Sequence, residues 1–161
     1  MMPPTALPGP RTFTRRTLLA VTAAGLVTLA GCTSSADDEQ EAVTSEQADE
    51  LAGQVAVQET LVAAYDLAFG ADPALAAAAA DLATQAGEQL ERLRDAAPGD
   101  RPEGPPPTGT PPAGGAQAWL RAQVAAAATS HAAACLDQSG ARAALLGSVA
   151  AGLRGHEARL A

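Results

Sequence analysis

PGDRPEGPPPTGTPPAGG, residues 98–115, packs seven prolines and five glycines into eighteen positions, and its reading decides how the rest of the chain is connected. Proline has no amide donor and a fixed φ, so nothing regular except polyproline forms here. At about 3.1 Å per residue the segment reaches roughly 50 Å, whereas a 24-residue helix is about 36 Å long. It is long enough to run the length of a helix bundle; a loose loop in an ordinary antiparallel bundle is the alternative that fits the same residues.

The flanks read as helix. Alanine fills 42 of 161 positions, Lys, Ile and Asn are absent, and four residues are aromatic. Such a chain lacks the branched and aromatic side chains that fill a pleated sheet, and the fold class is all-α. Thr44-Ser45-Glu46-Gln47 matches a capping box, and Leu51, Val55, Val62 and Phe69 continue at helical spacing to Gly70, predicting a helix over 45–69. Asp72 then Pro73 pairs an N-cap acid with a first-turn proline, opening a second helix over 72–97. Further helices are expected over 116–138 and 141–160, the first with Trp119 plugging the core under the linker. Short loop, long crossover, short loop is the connection pattern of a ferritin-like four-helix bundle made of two hairpins.

The start reads as an address. Arg11, Arg15 and Arg16 precede a diluted apolar stretch, and Leu29-Ala30-Gly31-Cys32 offers a small-residue cleavage site. These four residues resemble the bacterial lipobox, in which the cysteine is acylated and residues 1–31 are cut away; a plain secretory signal with a chance cysteine is the alternative. The segment around Arg15 and Arg16 resembles a twin-arginine signal, with general secretion left open. Residues 32–44 follow as a lipidated cysteine and an acidic, polar tether. The expected location is therefore the outer face of the cytoplasmic membrane, with the lipid as anchor. Ten Arg against eighteen acids, a formal charge of −8, disfavours nucleic acid as a partner. Cys135 is then the single cysteine left to the folded part, most simply as a small apolar residue, otherwise as a bridge between two copies or a reactive thiol.

Polar residues inside apolar stripes are costly to bury and mark candidate chemistry. Glu59 lies between Val55 and Val62, His131 between Val124 and Cys135, and His156 between Leu153 and Leu160; Tyr65 and Gln89 sit at stripe edges. Glu59, His131 and His156 are candidate ligands for Fe, Mn or Zn, provided the three converge. A carboxylate-bridged dinuclear site is not supplied, since it needs Glu-x-x-His on two helices and Leu153 stands three before His156. The alternative for these residues is a buried Glu–His or Glu–Tyr pair. No Gly-rich phosphate loop, Cys-x-x-Cys or Schiff-base lysine is present.

ETLVAAYD (59–66), QLERL (89–93), ACL (134–136) and LLGSVAA (145–151) with His156 resemble a ferritin-like domain of unknown function found in exported proteins and lipoproteins of high-GC Gram-positive bacteria. The resemblance implies a ferritin-like bundle, with Glu59 and His156 at characteristic positions. The family tends to carry His where this chain has Gln89 and Glu where it has Leu153, and it implies no substrate. A non-catalytic binding or structural role is expected, toward a protein, a cell-envelope component or a small ligand. The alternatives are a metal-binding protein or oxidoreductase using Glu59, His131 and His156, and a homo-oligomeric envelope scaffold.

Overall fold

A computed structural model describes residues 43–97, 99 and 104–161, and among these every regular element is a helix. The four are α1 (Ser45–Ala71), α2 (Pro73–Ala96), α3 (Ala116–Ala134) and α4 (Gly140–Arg159). The expected signal peptide and most of the tether lie outside the described residues.

Local chemistry fixes the helix ends. The Thr44 hydroxyl accepts from the Gln47 amide at 3.2 Å, and the Gln47 side chain accepts from the Thr44 amide at 3.3 Å, closing the capping box. α1 does not stop at Gly70 as the sequence suggests; it continues to Ala71, and Gly70 is not among the glycines with positive φ that would mark a left-handed helix end. Asp72 makes the break. Pro73 disfavours helical geometry in the residue before it, so Asp72 is extended, at φ −142° and ψ 95°, while its carboxylate accepts from the Ala74 and Leu75 amides at 3.0 and 3.1 Å. One residue thus ends α1 and starts α2.

α2 is shorter than expected by one residue at each end, and α3 ends at Ala134 rather than 138. Beyond Ala134 the chain tightens into i to i+3 bonds, Leu136 to Ala133 and Asp137 to Ala134. It then turns through Gly140, at φ +55°, where a side chain would be strained.

Contacts between helices give each pairing its sense. Gln58 meets the Ala86 carbonyl, each fourteen residues from Asp72, in the α1–α2 hairpin. On the other flank of α1, Gln47, Gln54 and Gln58 meet Gln138, Ser130 and His131, so α1 and α3 are antiparallel. Asp81 and Gln85 meet Arg159 and His156, pairing α2 with α4 in the same sense. α3 and α4 are joined through Gln117 with Leu160, Thr129 with Arg154, and Cys135 with Ala143. Leu51, Val55, Leu61, Leu82, Leu93, Leu120, Val124, Leu146 and Leu153 fill one core that all four helices share. Alanines between them let the axes approach closely.

Gly104 and Pro105 of the linker lie on α1. Gly104 donates its amide to Glu59 Oε2 at 2.7 Å, and the Thr60 hydroxyl donates to the Pro105 carbonyl at 2.7 Å. A Cβ added at Gly104 would collide with the Ala56 carbonyl and lie 3.0 Å from Glu59 Cβ, whereas one at Gly53 meets nothing within 4 Å. Gly104→Ala is expected to destabilise the fold by about 1–3 kcal/mol and Gly53→Ala to stabilise it by about 0.5–1 kcal/mol, as read by urea unfolding of the two variants beside the wild type.

Candidate functional site

The buried face of α1 is Leu51, Gln54, Val55, Gln58, Leu61, Ala64, Tyr65 and Ala68. Gln58 sits at its centre with no exposed surface. Its Nε2 donates to the Ala86 carbonyl at 2.9 Å and to Gln89 Oε1 at 3.3 Å. Those bonds orient the amide, so Oε1 faces α3 and accepts from His131 Nε2 at 3.0 Å. His131 is fully buried and its Nδ1 has no partner, the arrangement of a neutral ring protonated on Nε2. Burial pushes its pKa down from 6.5 to about 4.

A second buried pair lies along α1. The Tyr65 hydroxyl donates to His156 Nδ1 at 3.0 Å, and His156 Nε2 donates to Gln85 Oε1 at 3.3 Å. Burial lowers the pKa of His156, aided by Arg159 and opposed by Asp81, and burial pushes that of the Tyr65 hydroxyl up. Both groups are therefore held neutral, 1% and 2% exposed. The pair joins α1 to α4, and through Gln85 it reaches α2, whose Gln85 is exposed.

Glu59 is placed differently from the expectation. It stands one residue, about 100° of helix rotation, from Gln58 and faces the rim between α1, α2 and the linker. Its Oε1 accepts from Arg94 at 2.8 Å, its Oε2 from Gly104, and its side chain is 17% exposed. The Glu59 hydrogen bond is the largest cause raising the Arg94 pKa. Glu59, His131 and His156 thus belong to three separate sets of partners. Among the described residues no group of three or more His, Cys, Asp and Glu side chains is placed to hold a metal ion. The expected convergence fails because the stripe through Val55, Val62 and Phe69 is rotated from the true core face; Val62 and Phe69 are only half-buried.

The remaining candidates divide. Gln89 is buried in the Gln58 network. Cys135 is half-buried, and its thiol donates to the Ala143 carbonyl at 3.2 Å. The buried pairs are Tyr–His and His–Gln, not the Glu–His or Glu–Tyr pair expected as the alternative. Cys32, Arg15, Arg16, Leu29, Ala30 and Gly31 lie outside the described residues. Sequence reasoning missed Gln58, although it stands seven residues after Leu51 and seven before Tyr65, a heptad spacing that places all three on one face.

Two cavities flank the linker. A groove of about 850 Å³ is lined by Glu59, Val62, Asp66, Leu67, Leu90, Arg94 and residues 104–107, with the Glu59–Arg94 ion pair in its wall. A smaller, mostly apolar one of about 440 Å³ lies between α1 and α3 below Pro105.

Two outcomes are expected from the buried network. Gln58→Leu leaves His131 Nε2 and Gln89 without partners and should cost about 2–3 kcal/mol; Gln58→Leu with His131→Leu should cost less than the sum of the single changes, in a double-mutant cycle by urea unfolding. His131 has a folded pKa, about 4, below its ordinary 6.5, so the unfolded chain takes up the proton first. Its contribution is complete above pH 6.5 and is lost as pH falls toward 4, roughly 3 kcal/mol over that window. Stability measured from pH 7 to 4 should fall less steeply in His131→Leu, with His156 supplying a residual slope of the same sign.

Compared with known proteins, the chain matches no family model, no curated protein and no solved structure.

Proposed function

We propose that the chain is an exported lipoprotein, anchored through acylated Cys32 to the outer face of the cytoplasmic membrane, whose helices form a non-catalytic binding module. The observation that carries the non-catalytic part is the internal use of the buried polar groups. Gln58 bonds to both Gln89 and His131, and His156 to both Tyr65 and Gln85. The groove bordered by Glu59 and Arg94 is the seat assigned to an envelope ligand or protein segment. Its volume falls within the usual 300–1,000 Å³ of ligand pockets, and it combines an apolar wall with one partly buried ion pair.

The address rests on the sequence: the Leu29-Ala30-Gly31-Cys32 motif, the basic segment before it and the twin-arginine-like Arg15-Arg16. No helix among the described residues is long and apolar enough to cross a membrane, and attachment in this reading is through lipid. A ferritin-like bundle is the architecture proposed. α1 is antiparallel to both α2 and α3, so α2 and α3 point the same way. The linker between them then returns along the bundle, the connection of the ferritin-like class. Function is not carried over with the fold.

The test joins location to metal content. The full chain should sediment with membranes, and Cys32→Ala should release it to the soluble fraction; a wild-type chain that is itself soluble ends the lipoprotein reading. Titration of the full chain with Fe(II), Mn(II) and Zn(II) should show less than one bound equivalent. One equivalent bound, and lost in both Glu59→Ala and His156→Ala, would replace the binding module with the metal-dependent oxidoreductase.

A further inference from the structure

A cavity of about 350 Å³ lies at the end of the fold where residue 43 leads into α1, lined by Thr44, Glu46, Gln47, Glu50, Asp137 and Gln138. Among the described residues none of its three carboxylates takes part in an ion pair. On the α1 side the local sequence supplies no counter-charge, since residues 17–91 contain no Arg, Lys or His, whereas residues 32–50 contain seven acids; on the Asp137 side Arg142 is near in sequence, but it forms no ion pair with any of the three carboxylates. The N-terminus of α1 brings about half a positive charge, which Glu46 in its first turn offsets, leaving Glu50 and Asp137 without an ion-pair partner among the described residues.

Acids alone would not define a ligand; Gln138 adds the second observation. It is 8% exposed, and its Nε2 donates to the Gln47 carbonyl at 3.0 Å. That bond fixes the amide and leaves Oε1 as a buried acceptor with no donor, a group that gains when a ligand brings an N–H. A bare metal ion does not fit, because no three acidic, His or Cys side chains among the described residues are close enough to share one. Carboxylates spread around a cavity, together with an unfilled carbonyl acceptor, suit a longer cation with N–H donors at intervals. Glu50 is held in position for this, since its Oε1 accepts from Gln54 at 3.1 Å.

We propose that this cavity binds a small organic polycation, a di- or polyamine, with its ammonium groups on Glu50 and Asp137 and an N–H donated to Gln138 Oε1. The site is separate from the groove at Glu59 and does not depend on the lipid anchor or on the role proposed for that groove.

Calorimetric titration of the full chain with spermidine tests it, with magnesium and an Arg-containing tetrapeptide as competitors. One site is expected, weakened about tenfold by Glu50→Gln and by Asp137→Asn and about fivefold by Gln138→Leu, and unchanged by Glu88→Gln on the exposed face of α2. Gln138 also ties the turn after α3 to α1, so Glu50→Gln keeps the test decisive where Gln138→Leu fails to fold. Equal loss in Glu88→Gln, or binding that disappears at physiological salt, would reduce the cavity to a diffuse acidic surface and overturn the proposal. Displacement of spermidine by equimolar magnesium, or tighter binding of the tetrapeptide, would overturn the ligand class.

Discussion

A primary amide buried away from water must find partners for both its donor and its acceptor, and at Gln58 that requirement ties three helices together. Nε2 reaches α2 through the Ala86 carbonyl and Gln89, and Oε1 reaches α3 through His131. Alanine faces look much alike after a shift of one helical turn, so apolar packing alone discriminates weakly between registers. Hydrogen bonds do not share that tolerance: a shifted α2 or α3 would leave buried polar atoms unpaired. The network therefore fixes the rotation and height of α2 and α3 against α1.

Small residues make room for this arrangement. Gly152 of α4 leaves the space that the Gln89 amide occupies, since a Cβ there would stand 2.7 Å from Gln89 Nε2. Gln89 can then stay buried and accept from Gln58. On the opposite side of α1, Gly104 brings the linker against Ala56, where Glu59 caps its amide. Gly104 and Pro105 are held through their backbone groups by the Glu59 and Thr60 side chains, and Pro105, Pro106 and Pro107 wall the groove next to Glu59.

Features set by local chemistry were legible in the sequence. The capping box at Thr44, the Asp72-Pro73 junction and the burial of both histidines depend on neighbours within a turn or on an unmistakable polar residue in an apolar run. The phase of α1 was not legible. Alanine occurs on both its faces, so a stripe through Leu51, Val55, Val62 and Phe69 competes with one through Leu51, Val55, Leu61 and Tyr65; the second is the core face, and Val62 and Phe69 lie at its edge. The resulting rotation brought Glu59 inward on paper and hid Gln58. The end of α3 was misplaced for a different reason: Gln138 continues the helical pattern, but its side chain is used to reach the Gln47 carbonyl across the turn.

The polar contacts of α1 with α3 form a ladder whose rungs are Gln47 with Gln138, Gln54 with Ser130 and Gln58 with His131. Its inner rung is neutral, because burial keeps His131 unprotonated at ordinary pH, and its outer rung borders the acidic cavity. Glu50 joins the two regions through Gln54, whose Nε2 it accepts while Gln54 Oε1 accepts from Ser130. A cation drawn to Glu50 competes for the carboxylate that orients Gln54, one helical turn from Gln58. Polar contact thus runs along the α1–α3 seam from Glu50 through Gln54 to Ser130, whereas Asp81–Arg159 on the α2–α4 side lies exposed, where pairing contributes little.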